Sequence, residues 1–122
     1  MLTVAWLCVP FTHSQRARHL NWAASGVSVS ACFAPRIASM LTPFFVRDGQ
    51  RAVENYEQAI ACDTQAYATF FHAMLQGGVF LPPSQFEAWF VGLAHSAEAI
   101  GQTVAVAKGA FAAVAAKRSA GH

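Results

Sequence analysis

Glu87 is the residue in this chain best placed to do chemistry. It follows the rigid Pro82-Pro83 pair and precedes the apolar run 88–94, and a carboxylate in such surroundings is costly unless it meets a partner or acts on a ligand. Ser84 and Gln85, inside the same turn, have side chains able to hold Glu87 in place or to orient the backbone beside it. Taken from its neighbours alone, Glu87 reads as a carboxylate that caps or salt-bridges beside the Pro-Pro turn; a charge aimed at a ligand is the alternative. Ser84, His95 and Asp63 are the ingredients of a hydrolase triad, but no nucleophile-elbow motif surrounds the serine. Cys62, His72, His95 and Glu87 can each ligate a metal, yet their spacing matches no recognised metal motif. His72 falls between apolar stripe positions and His95 ends an apolar run, places where a structural histidine is the ordinary occupant.

The elements that position these residues belong to a chain of 122 residues, enough for one domain with a single core. It is 55% hydrophobic and 11% charged, whereas an average soluble chain is about one quarter charged. With so little charge to cover a free-standing surface, it is expected to bury part of itself against the rest of a larger subunit or in a tight dimer. The net charge is +2, and the basic residues are scattered without interleaved aromatics, which argues against a nucleic-acid partner. Cys8, Cys32 and Cys62 form neither a disulfide framework nor a zinc motif, so a reducing cytoplasm is the expected compartment. Residues 1–11 are apolar but have no basic residue before them, and are read as not a targeting signal. Arg16, Arg36, Arg47 and Glu87 interrupt the apolar runs before they reach the roughly 18 residues that span a bilayer, so no membrane partner is expected.

Residues 1–37 carry no sustained period and stand apart as a poorly specified amino-terminal segment; only the weak alternation of Val27, Val29, Ala31 and Phe33 permits a strand. Residues 40–46 have strand composition ended by the turn pair Asp48-Gly49, and Pro43, lacking an amide donor, places that strand at an edge or irregularity. Residues 55–61 form a short helix. Asp63 then caps a longer one, in which Tyr67, Phe70, Phe71, Met74 and Leu75 draw an apolar stripe that Gly77-Gly78 ends. The run 88–94 reads as a strand apolar on both faces and buried on both. Ser96 caps a final helix with Ile100, Val104, Ala107, Phe111 and Val114 inward, and with Lys117 and Arg118 at the end the helix dipole favours. Strand, helix, strand, helix is an α+β layer with a sheet too narrow for a comfortable lone domain.

Several spaced motifs occur in one order. They are Ser39-Met40-Leu41-Thr42 with Phe44-Phe45, Asn55-Tyr56, Asp63-Thr64 with Phe70-Phe71-His72-Ala73-Met74-Leu75, Gly78-Val79-Phe80-Leu81-Pro82-Pro83-Ser84-Gln85-Phe86-Glu87, and Leu93-Ala94-His95. Together they resemble the carboxy-terminal end of glutamate-1-semialdehyde 2,1-aminomutase, of the class III pyridoxal phosphate aminotransferase family, over residues 38–116; 117–122 form a tail. The resemblance implies a fold-type I architecture in which a large domain holds pyridoxal 5'-phosphate and a small carboxy-terminal domain closes over the substrate. This chain corresponds to the small domain, a short antiparallel sheet with helices on one face.

The resemblance further implies a cytoplasmic homodimer that moves an amino group within glutamate 1-semialdehyde through diaminovalerate to 5-aminolevulinate in tetrapyrrole biosynthesis. In related aminotransferases an arginine of the small domain holds the substrate carboxylate. Glu87 looks like its replacement, with Ser84 and Gln85 beside it as substrate-binding residues; its charge repels a carboxylate and attracts an ammonium group. No catalytic residue is expected in this chain. The cofactor needs a Schiff-base lysine, a phosphate cradle and an acid opposite the pyridine nitrogen; Lys108 and Lys117 stand outside any such context, so no cofactor or metal is expected on the chain alone, and the partner is the missing large domain or an intact homologous subunit. Residues 1–37 do not align with the family, as in a truncation, a wrongly assigned start or a frameshift. Two alternatives stand beside this reading: the small domain of a related ω-aminotransferase, which Glu87 disfavours, and a non-catalytic interaction protein.

Overall fold

The computed structural model describes residues 32–120. The apolar opening 1–11, Cys8 and the alternation up to Ala31 lie outside the described residues. Five two-residue strands and three helices follow in the order β1 (Cys32–Phe33), β2 (Arg36–Ile37), β3 (Met40–Leu41), β4 (Phe44–Phe45), α1 (Tyr56–Ile60), α2 (Thr64–Gln76), β5 (Trp89–Phe90) and α3 (Ala97–Ala120). The strands make a three-stranded antiparallel sheet, β2-β3-β5, and a two-stranded antiparallel pair, β1-β4. The fold is the expected small α+β domain, a short antiparallel sheet with helices on one face, consistent with a subdomain of a fold-type I aminotransferase. Residues 32–37, the end of the segment set apart on sequence, pair with strands β4 and β3, and α3 carries on through residues 117–120.

Local chemistry explains the helices. Asn55 caps α1 by accepting the Gln58 N–H at 2.9 Å, Asp63 caps α2 by accepting the Ala66 N–H at 3.0 Å, and the Ser96 hydroxyl accepts the Ala99 N–H at 3.1 Å ahead of α3. After Gln76 the Gly78 N–H reaches the Leu75 carbonyl at 3.0 Å and the Val79 N–H reaches Met74 at 2.9 Å. With Gly78 at φ +84, this is a Schellman close, for which glycine is the least strained residue. Val79 and Met74 are both buried in the core, supplying the apolar contact that accompanies the motif.

The strands depart from the sequence pattern. Residues 40–46 form two short strands separated at Thr42-Pro43, where Pro43 has no amide donor to continue a ladder. The run 88–94 is a strand at Trp89–Phe90 alone and is buried on one face: Trp89 is 4% exposed, Phe90 49% and Leu93 fully exposed. In α2, Tyr67, Phe70 and Met74 are buried, but Leu75 is exposed, since the stripe drifts around a helix of 3.6 residues per turn. The inward side of α3 is Thr103, Ala107, Ala110, Phe111 and Val114, with Ile100 and Val104 half-buried. The reading of apolar runs cut short by charge left α3 out: although Lys108 interrupts it, this Ala-rich helix is long and apolar enough by length and composition to cross a membrane. In this fold its inner side packs on α2.

The core sits between α2, α3 and the strands. Phe45 lies 5.5 Å from Phe70 and 5.9 Å from Phe111, Phe70 and Phe111 are 4.7 Å apart, and Phe70 stacks on Trp89 at 6.3 Å. These are separations at which aromatic rings attract beyond simple burial.

The turn at Glu87

The segment after α2 is built outward from the core. Val79 and Leu81 are buried and Phe80 between them is exposed, the alternation of extended backbone. Pro82 then ends the extended stretch, and its carbonyl accepts the Tyr67 hydroxyl at 2.6 Å. Beyond Pro83 the chain turns on Ser84, whose hydroxyl accepts the Phe86 N–H at 3.2 Å and whose carbonyl accepts the Glu87 N–H at 3.2 Å. Thr42, from the link between β3 and β4, donates its hydroxyl to the Glu87 carbonyl at 3.3 Å. Trp89, two residues on, re-enters the core.

The three residues singled out on sequence are therefore in one turn but face different ways. Glu87 is exposed, and among the described residues it makes no ion pair. Gln85 is turned inward, 2% exposed, its amide donating to the Ala59 carbonyl at 3.5 Å while its side-chain oxygen makes no hydrogen bond. Ser84 is spent on the turn itself. Tyr67 and Thr42, which fasten the turn from outside, were not identified as site residues. The signal for Tyr67 was present, because a tyrosine on a buried stripe must find a partner for its hydroxyl. Burial pushes the Tyr67 phenol up to about 12; the Trp89 indole beside it works the other way, and the nearby Glu87 charge adds to the rise. The Trp89 N–H lies beside that phenol without a hydrogen bond of good geometry.

The other constellations do not assemble. Asp63 is engaged by Ala66 and Arg118, His95 by the backbone of Gly92, and Ser84 by its own turn, so the triad ingredients are held in separate local contacts. Among the described residues no three His, Cys, Asp or Glu side chains stand together as metal ligands. Burial pushes the Cys32 thiol up to about 12 and raises that of Cys62 against the opposing Gln50 hydrogen bond, so both are protonated near neutral pH. His72 is exposed and rests edge-on against Phe71 at 5.4 Å.

No family model matches the chain. Curated relatives do match, and the following three are named glutamate-1-semialdehyde 2,1-aminomutase. The chain is 44% identical over 82 residues to the protein of Citrifermentans bemidjiense, covering 67% of this chain and 18% of that one. It is 49% identical over 77 residues to that of Anaeromyxobacter sp. strain K, 63% and 17%, and 50% identical over 80 residues to that of Thermomicrobium roseum, 66% and 18%. The chain thus spans less than a fifth of the length of these relatives. At this identity, over about two thirds of its residues, it is a homologue of one part of the glutamate-1-semialdehyde 2,1-aminomutases.

Proposed function

We propose that residues 38–116 are the carboxy-terminal small domain of a glutamate-1-semialdehyde 2,1-aminomutase, inactive without a large domain, and that Glu87 selects substrate there. The observation that carries the reading is the Glu87 carboxylate itself: exposed, free of an ion pair among the described residues, and mounted on a turn bonded on every side. A negative charge so placed attracts the ammonium end of a diamino intermediate and repels a carboxylate, a selection by charge in which the repulsion matters as much as the attraction. Ser84 and Gln85 serve by shaping the turn, Ser84 from outside and Gln85 from within.

In the whole enzyme pyridoxal 5'-phosphate supplies the electron sink for amino transfer. The residues present here do not fit a complete site for it. Lys108 is exposed on α3; Lys117 donates to Thr69 at 3.3 Å beside a shallow hollow lined by Gln65, Thr69, His72 and Gln76, with no acid in the lining. Cofactor, Schiff-base lysine and the second copy of a cytoplasmic dimer belong to a large domain or to an intact subunit. The decisive experiment replaces the matched segment of a full-length relative with residues 38–116 and follows conversion of glutamate 1-semialdehyde to 5-aminolevulinate. Turnover by the chimera and none by the chain alone is expected. Turnover by the isolated chain, or a folded, cofactor-loaded chimera without any, sinks the proposal.

A second reading, an interaction protein that pairs with an intact relative, is favoured by one observation. Ile37, Met40 and Phe90 pair in register across β2, β3 and β5, and all three are exposed. That row of the sheet is apolar and exposed.

A further inference from the structure

The turn that carries Glu87 is tied to the domain at both ends by hydroxyl groups from elsewhere in the chain. Tyr67 stands in the first turn of α2, 2% exposed, its ring edge-on to Phe45 at 6.4 Å. Its phenol is fixed by packing before it reaches the Pro82 carbonyl at 2.6 Å, a short bond. Thr42 follows β3 and holds the Glu87 carbonyl at 3.3 Å, 45 positions away in sequence. Between those anchors the Glu87 N–H closes on Ser84. The backbone of residues 82–87 is thus pinned at its start by a helix and at its end by the sheet, while the carboxylate projects outward.

We infer that Tyr67 and Thr42 are positioning residues, which hold the 82–87 turn so that the Glu87 carboxylate is presented to substrate at one fixed place. The inference rests on the reading of Glu87 given above. A charge that discriminates by attraction and repulsion acts through distance, so its value depends on being held where the substrate's own charge arrives. A purely structural hydroxyl has no such dependence on the carboxylate: its loss harms the protein to the same degree whether residue 87 is charged or not. The high value of the Tyr67 phenol keeps its proton, and so the bond to Pro82, across the neutral range.

Three variants separate the two cases. Tyr67→Phe keeps the ring and removes the bond, Thr42→Val keeps the shape and removes the hydroxyl, and Thr42→Ser restores it. In the full chain, Tyr67→Phe and Thr42→Val should each speed hydrogen exchange at the Glu87 amide by about 10-fold while the α2 and α3 core amides stay protected. In the chimeric enzyme, both should lower kcat/KM for the diamino intermediate by about 10-fold, Thr42→Ser should recover it, and neither should cost anything further once Glu87 is Gln. Unchanged exchange at Glu87, or the same loss of kcat/KM in the Glu87→Gln background, overturns the inference. A Glu87→Gln variant that is silent by itself overturns the functional reading and the positioning role with it, whatever the exchange data show.

Discussion

Asp63 makes three ties at once, two through its carboxylate and one through its backbone. One oxygen caps α2 through Ala66, the other pairs with Arg118 near the end of α3 at 3.1 Å, and its N–H donates to the Phe45 carbonyl at 2.7 Å. Partial burial pushes this carboxyl up, but the Ala66 N–H, Arg118 and more distant Arg47 outweigh burial and hold it below its ordinary value. A depressed folded-state value means the stability it contributes is complete above the unfolded value and is lost as pH falls through the folded one. The melting temperature should therefore be level from neutrality to about pH 5 and fall below about pH 4, with Asp63→Asn flattening the fall. Asn retains the cap; Asp63→Ala loses cap and pair, at a cost of about 1–2 kcal/mol by urea unfolding. The capping role was legible in sequence because capping is local. The pairing with Arg118, 55 positions away, was not, because nothing in a linear pattern reports which helix ends meet. Glu87 was legible as an isolated charge, and for it the expected results are different. In the chimeric enzyme Glu87→Gln should leave the melting temperature within a degree or so of the parent while turnover falls, since surface substitutions away from packed contacts stay within about 0.5 kcal/mol. Glu87→Arg should shift preference toward substrates with a carboxylate at that end. A Gln variant that melts several degrees early with normal turnover makes Glu87 structural.

At the scale of elements, the helices were readable and the sheet was not, for a physical reason. A helix announces itself through caps and a period within its own residues, and α1, α2 and α3 begin at Asn55, Asp63 and Ser96 as their caps require. Two-residue strands have no period to read, and their existence depends on partners elsewhere in the chain, the farthest being Met40 and Phe90, about fifty positions apart. The helix ends hold one constraint that composition hides. A Cβ added at Gly77 would run into the Val106 side chain of α3, whereas one added at Gly109 meets nothing within 4 Å. Gly77 is needed for close approach rather than for its backbone angle, which is φ −78. Gly77→Ala should destabilise by about 1–3 kcal/mol through overpacking, and Gly109→Ala should stabilise by about 0.5–1 kcal/mol through helix propensity. Chemical denaturation of the two single variants checks both signs.

For the whole molecule, the low charge content and the exposed apolar row of the three-stranded sheet are two views of one fact. Across β2, β3 and β5 the row Ile37, Met40, Phe90 is exposed, while in the neighbouring row Leu41 and Trp89 are buried. Phe86 and Leu93 add further exposed apolar surface along the chain, and an open apolar surface of this kind drives association. The sequence foretold such a surface from composition but not where it lies. Sedimentation of the isolated chain should show concentration-dependent self-association, and the double variant Ile37→Thr, Phe90→Thr, which keeps β propensity, should move it toward monomer. A monomeric parent chain would remove the argument.

The packing of α3 has a consequence for how the protein is made. Phe111 supplies the third ring beside Phe45 and Phe70, Val114 closes the same core, and Arg118 reaches back to Asp63 and the Val46 carbonyl. Synthesis delivers these groups after the strands and α2, which leave the ribosome with their apolar sides uncovered and wait for α3. Domains fold as units during synthesis only when their parts are present. A chain stopped after Gly109 retains every strand described here and all of α2, yet should melt without a cooperative transition and bind a hydrophobic dye, while extension through Ala120 should restore the transition in one step.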